Sequence, residues 1–193
     1  MKPHHLATAA AGAWGFAALA YALLETQPDH RSTLTVVFNA AVVIAGALGI
    51  AVLISINNRF IDLGLMGKAG IALVGIGVAI SAVTWGAVNV YLLIQGTGYL
   101  LFGIKLIRTH SAPILSTVIV SGAFFTAPIA FLIANAAQIG TVNEYGDRDA
   151  AFALGFAVGA TFMAMGLIGW AHWLQHETNN QPRRHCGVTQ IHA

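Results

Sequence analysis

Charge is what this sequence has least of. Its 193 residues include nine Lys and Arg and seven Asp and Glu, so charged residues make up 8% of the chain, against about a quarter in ordinary soluble domains. Beside a hydrophobic content of 57%, that scarcity argues against a conventional water-soluble fold and points to the membrane class. The formal net charge of +2 comes from scattered bases. They form no basic face of the kind a nucleic-acid reader needs, so nucleic acid is excluded as a partner. The single cysteine, Cys186, rules out an intrachain disulfide and reads as a tail thiol without a site. Also missing are a Gly-x-Ser-x-Gly elbow, a His-Glu-x-x-His pair and a Gly-Lys-Ser/Thr phosphate loop, which removes the usual carriers of hydrolytic and phosphoryl chemistry. The longest polar connections, Glu25 to Thr33 and Gly140 to Asp149, are too short for a folded extramembrane domain. The expectation is a non-enzyme with no cofactor.

What the chain does have is long uncharged tracts. Leu6 to Leu24 and Leu34 to Ile56 carry no charge, and each is long enough to cross a hydrocarbon core of about 30 Å at about 1.5 Å per residue. The tract Ala69 to Ile104 would make a single helix of about 54 Å, too long for one crossing even if tilted. It must fold back. Trp85-Gly86 and Asn89 offer the turn, with Gly96-Thr97-Gly98 as the alternative break. Pro113 suits a helix start, and Pro128 predicts a kink inside the span that follows. The reading is an all-α polytopic transmembrane bundle of six helices, with spans near 6–24, 34–56, 64–84, 88–107, 114–137 and 150–174 and a disordered cytoplasmic tail over 176–193.

Sidedness follows from the bases. With an inside N-terminus and six spans, Lys2, Arg59, Lys68, Lys105, Arg108, Arg183 and Arg184 lie inside and only Arg31 and Arg148 outside. Glu25, Asp29, Glu144, Asp147 and Asp149 fall outside. Five spans would erase that asymmetry, so the chain reads as N-in/C-in. Ala20-Tyr21-Ala22 imitates a signal-peptide cleavage site, but the apolar stretch outruns an h-region of about 7 to 15 residues and Leu23-Leu24 extends it. Tyr21, Trp85 and Tyr145 then fall near the outer interface, Trp170 and Trp173 near the inner one.

No charged residue or histidine lies near the centre of a span, which argues against a proton-driven carrier. The uncharged amides show more pattern. Asn39, Asn89, Gln95, Asn135 and Gln138 all fall in the outer half of the bilayer. They would either line an outer polar pocket for a small uncharged solute or tie helices together. Gly155 and Gly159 form a GxxxG pair suited to close helix packing, within the chain or between copies. His172 and His176 share a helical face and could chelate a metal or haem, with a third ligand from His110 or His185. The expectation there is no metal, because the pair sits at a solvated interface.

The stretch Gly96-Thr97-Gly98-Tyr99-Leu100-Leu101-Phe102-Gly103-Ile104-Lys105-Leu106-Ile107-Arg108, with Pro113 and Gly122 beyond it, resembles the fourth and fifth spans of a bacterial family of small six-span membrane proteins of unknown function. That resemblance implies a fold-back before Gly96 and no activity. The sequence reads best as a structural or regulatory component of the plasma membrane of a bacterium. Its partners are the lipid bilayer and either further copies or other membrane proteins. A channel or carrier for a small uncharged solute comes second, and a haem- or metal-binding redox protein third.

Overall fold

The computed structural model describes residues 2–26, 31–59, 63–83, 88–109, 112–137 and 149–180. Every element among them is helical: α1 (Pro3–Thr26), α2 (Arg31–Arg59), α3 (Gly64–Val83), α4 (Val88–Arg108), α5 (Ile114–Ala123), α6 (Thr126–Ala136) and α7 (Asp149–Asn180). Helix is the expected outcome for uncharged runs of this length, because in hydrocarbon each backbone N–H and C=O must find its partner inside the segment. Helices α1, α2, α3, α4 and α7 are each long and apolar enough to cross a membrane, and α5 with α6 passes the same test as one bent pair. At the first position of α3, Gly64 takes a φ of +64°, a left-handed value that a side chain would strain.

The long uncharged tract is divided between α3 and α4, and Trp85 and Gly86 lie outside the described residues. Gly96-Thr97-Gly98 runs through the middle of α4 without a break, the Thr97 hydroxyl donating to the Leu93 carbonyl at 2.8 Å. At the other end, α7 continues to Asn180, so the start of the tail expected at His176 is corrected. Residues 176–180 contain no Gly or Pro, the Thr178 hydroxyl donates to the Leu174 carbonyl at 2.6 Å, and helix is disfavoured only next to Pro182. Residues 181–193 are outside the described part.

The bend between α5 and α6 measures 54° and falls at Phe124–Phe125, just upstream of Pro128. A proline there has no N–H for the Phe124 carbonyl and its ring presses on that turn. The Phe125 amide bonds instead to the Gly122 carbonyl, at 3.0 Å. The Thr126 hydroxyl lies 2.7 Å from the Ala123 carbonyl and 2.8 Å from the Gly155 carbonyl, tying the bend to α7. Thr126→Val is therefore expected to lower stability by about 1 kcal/mol, the usual worth of an interhelical hydrogen bond. Denaturant titration in detergent micelles checks it, with Thr126→Ser retaining the wild-type midpoint.

The helices close a ring. Helix α1 packs on α2, α2 on α3 and α3 on α4, α4 meets both halves of the bent pair, both halves pack on α7, and α7 returns to α1. Lipid gives helices no hydrophobic reason to associate, so close approach must do it. A Cβ on Gly70 would lie 2.7 Å from the Gly98 carbonyl oxygen, and one on Gly98 would lie 2.6 Å from that of Gly70. Helices α3 and α4 thus meet backbone to backbone. Across the ring, Trp14 meets Phe124 edge-on at 5.2 Å, and Phe124 stacks on Tyr99 at 5.0 Å. Tyr21, Phe38 and Phe156 form a second aromatic group, with centroids 4.8 to 5.2 Å apart. Tyr21 and Trp170 are both buried, so neither ring lies on the outer surface of the bundle as a belt residue would. Leu65, Leu115 and Leu154 are 86%, 73% and 67% exposed. Such an apolar exterior suits lipid.

Candidate functional site

The residues singled out from sequence do not share one environment. On α2 the Asn39 amide donates to the Thr35 carbonyl at 2.9 Å, and on α6 the Asn135 amide donates to the Phe131 carbonyl at 2.9 Å. Both are half-buried and bonded to their own helix, one turn back. Asn89 falls in the first turn of α4 with its side chain outside the described part, and Gln138 lies outside the described residues. Gln95 differs from all of these. It is 0% exposed, and among the described residues neither its Oε1 nor its Nε2 has a hydrogen-bond partner. No hydrogen bond among the described residues joins any two of these amides.

The environment of Gln95 is set by helix α4. Tyr91 and Tyr99 stand one turn on either side of it, on the same face, since positions i, i+4 and i+8 line up along a helix. Both phenols are buried and, among the described residues, without a hydrogen-bond partner. Opposite them the neighbours are glycines. A Cβ on Gly77 of α3 would strike the Gln95 side chain and lie 3.1 Å from the Tyr91 carbonyl oxygen. A Cβ on Gly49 of α2 would strike the Tyr99 hydroxyl. Absent side chains on α2 and α3 thus make room for polar groups projecting from α4. Ser121 of α5 completes the surround by donating to the Tyr99 carbonyl at 3.2 Å.

An enclosed polar group without a partner costs about 1 to 3 kcal/mol, and native structures hold few of them. Here four such atoms line one face of one helix. No other residue described in the bundle interior is arranged so. The chain matches no family model, no curated protein and no solved structure.

Elsewhere the polar side chains are satisfied or isolated. Trp170 donates from Nε1 to Thr117 Oγ1 at 3.1 Å, and the Thr117 hydroxyl donates to the Pro113 carbonyl at 2.8 Å. Trp14 Nε1 is buried and, among the described residues, without a partner, and the Trp14 side chain lines a gap of about 10 Å³ with Phe124, Phe156 and Met163, which is at the lower limit for one water. Gly155 and Gly159 face the bent pair of the same chain. A Cβ on Gly155 would lie 2.8 Å from Ala127 Cα, and one on Gly159 would lie 2.5 Å from the Ala123 carbonyl oxygen. The His172 and His176 rings meet edge to face at 4.5 Å. Among the described residues no three His, Cys, Asp or Glu side chains gather as metal ligands, and His110 and His185 lie outside them.

Sequence reading singled out Gln95 and missed Tyr91 and Tyr99. The signal was present in their four-residue spacing.

Proposed function

We propose that this protein is a non-enzymatic component of a bacterial plasma membrane, crossing it six times with both termini in the cytosol, and that its role is structural or regulatory. Charge placement supports the topology. The bent α5–α6 pair counts as one crossing in that scheme, which gives the even number that brings the tail back to the side of Lys2. Support for the role comes from the ring interior, where Trp14, Tyr99, Phe102, Phe124 and Trp170 are all buried and fill the centre that a pore would use.

A carrier for a small uncharged solute is the second reading, favoured by the unpartnered polar face of α4. One experiment separates the two. Purified protein in sealed liposomes is expected to leave glycerol and urea permeability, read by light scattering after an osmotic step, equal to that of empty liposomes. A severalfold faster volume recovery would overturn the non-conducting reading in favour of the carrier. For the topology, a periplasm-active reporter fused after Ala193 is expected to stay silent and a cytosol-active one to work, and the opposite pattern would break the parity.

A further inference from the structure

The polar face of α4 has a direction as well as a composition. At about 1.5 Å per residue, Tyr91 lies roughly one turn from the Val88 end of the helix, Gln95 two turns and Tyr99 three, close to its midpoint. There the face stops against Phe124, which stacks on Tyr99 and in turn meets Trp14. Polar groups therefore run from one end of the bundle to its centre and end at an aromatic plug. A polar face that stops at the middle of the bundle suits capture of a ligand better than passage.

The chemistry of the face limits what it could hold. The Gln95 amide presents a donor and an acceptor side by side, which is the complement of a second primary amide, and each phenol can donate or accept. The groups packed against it, Gly77 beside Gln95 and Gly49 and Phe124 beside Tyr99, carry no charge. An ion placed there would have no countercharge in a low-dielectric interior, so the ligand must be neutral. Gly77 and Gly49 lie tight against Gln95 and Tyr99, so the ligand must be small.

We propose that Tyr91, Gln95 and Tyr99 form a binding site for a small uncharged solute carrying a primary amide or urea group, which pairs with the Gln95 amide and is flanked by the two phenols. The site extends the regulatory reading by naming the class of ligand, and it does not depend on whether the protein conducts.

The full-length protein in lipid nanodiscs, with acetamide as probe, tests it by saturation-transfer NMR. Wild type is expected to transfer saturation to the acetamide methyl group, and unlabelled urea is expected to compete. Gln95→Leu keeps the bulk and removes the amide, so binding should weaken at least tenfold while the melting temperature holds or rises, because a buried polar group has been replaced by an apolar one. Tyr91→Phe and Tyr99→Phe remove only a hydroxyl and should each weaken binding severalfold. They keep the test decisive if Gln95→Leu does not fold. Thr97→Val, on the exposed side of the same helix, should bind as wild type. No saturation transfer in wild type, or equal transfer in Gln95→Leu and both Phe variants, would overturn the site. Neither result bears on the liposome measurement, so the two proposals fail separately.

Discussion

Gly98→Ala is expected to lower stability by about 2 kcal/mol, a large loss for the addition of one methyl group. The new Cβ would lie 2.6 Å from the Gly70 carbonyl oxygen and 2.8 Å from the Val74 nitrogen, and neither backbone atom can turn aside. Overpacking of a tight interface costs about 1 to 3 kcal/mol, sometimes more. Against this stands a gain of about 1 kcal/mol from replacing a mid-helix glycine by alanine. Gly70→Ala should behave alike, with 2.7 Å to the Gly98 carbonyl oxygen and 3.1 Å to the Phe102 nitrogen. The double variant should lose less than the sum, because once α3 and α4 are pushed apart the second methyl group enters space already opened. Gly75→Ala is the matched control. Nothing lies within 4 Å of its added Cβ, so only the propensity gain remains. Denaturation midpoints in detergent micelles rank the four variants, and a Gly98→Ala midpoint at or above wild type would contradict the backbone contact.

Trp170→Ala should cost about 3 kcal/mol, the lower end of the range for removing a buried aromatic side chain in soluble proteins. The reduction has a physical cause. In lipid the unfolded helices are also in an apolar medium, so the transfer contribution shrinks and the lost packing contacts remain. Trp170 is fully enclosed, faces Phe102 at 6.4 Å between ring centroids, and donates to Thr117 across to α5. Trp170→Phe fills most of the space and removes only the donor, so its cost should be near 1 kcal/mol. A double-mutant cycle with Thr117→Val measures that hydrogen bond directly, and a coupling energy near zero would show that the indole acts through shape alone.

Much of the helix pattern was legible from where charges are missing. Lys2 and Glu25 bracket most of α1, Arg31 and Arg59 bound α2, the uncharged tract between Lys68 and Lys105 holds most of α3 and α4, and Pro128 announced the bend that follows Ala123. What could not be read was the rotation of each helix about its own axis. In a soluble protein one face is polar and reports its orientation. Here leucine on the outside and leucine on the inside look the same. Asn39 and Asn135 are chemically close to Gln95, yet both bond to their own helix while Gln95 is enclosed without a partner among the described residues. Side-chain length contributes to that difference. Asparagine readily reaches a carbonyl one turn back, whereas the longer glutamine projects towards α3, where Gly77 leaves space. Only a placed neighbour reveals that space.

The bend in the α5–α6 pair also bears on the surrounding lipid. Ten and eleven helical residues joined at 54° reach only about 28 Å from end to end. On the flank opposite stands α2, whose apolar part Thr33–Asn58 has 26 residues, about 39 Å long. In a bilayer the two flanks would meet hydrocarbon of unequal depth, so the annulus has to thin beside the bent pair or the whole ring has to lean. Short-chain lipids would gather on that flank, and membranes of different thickness would set the tilt of the protein differently.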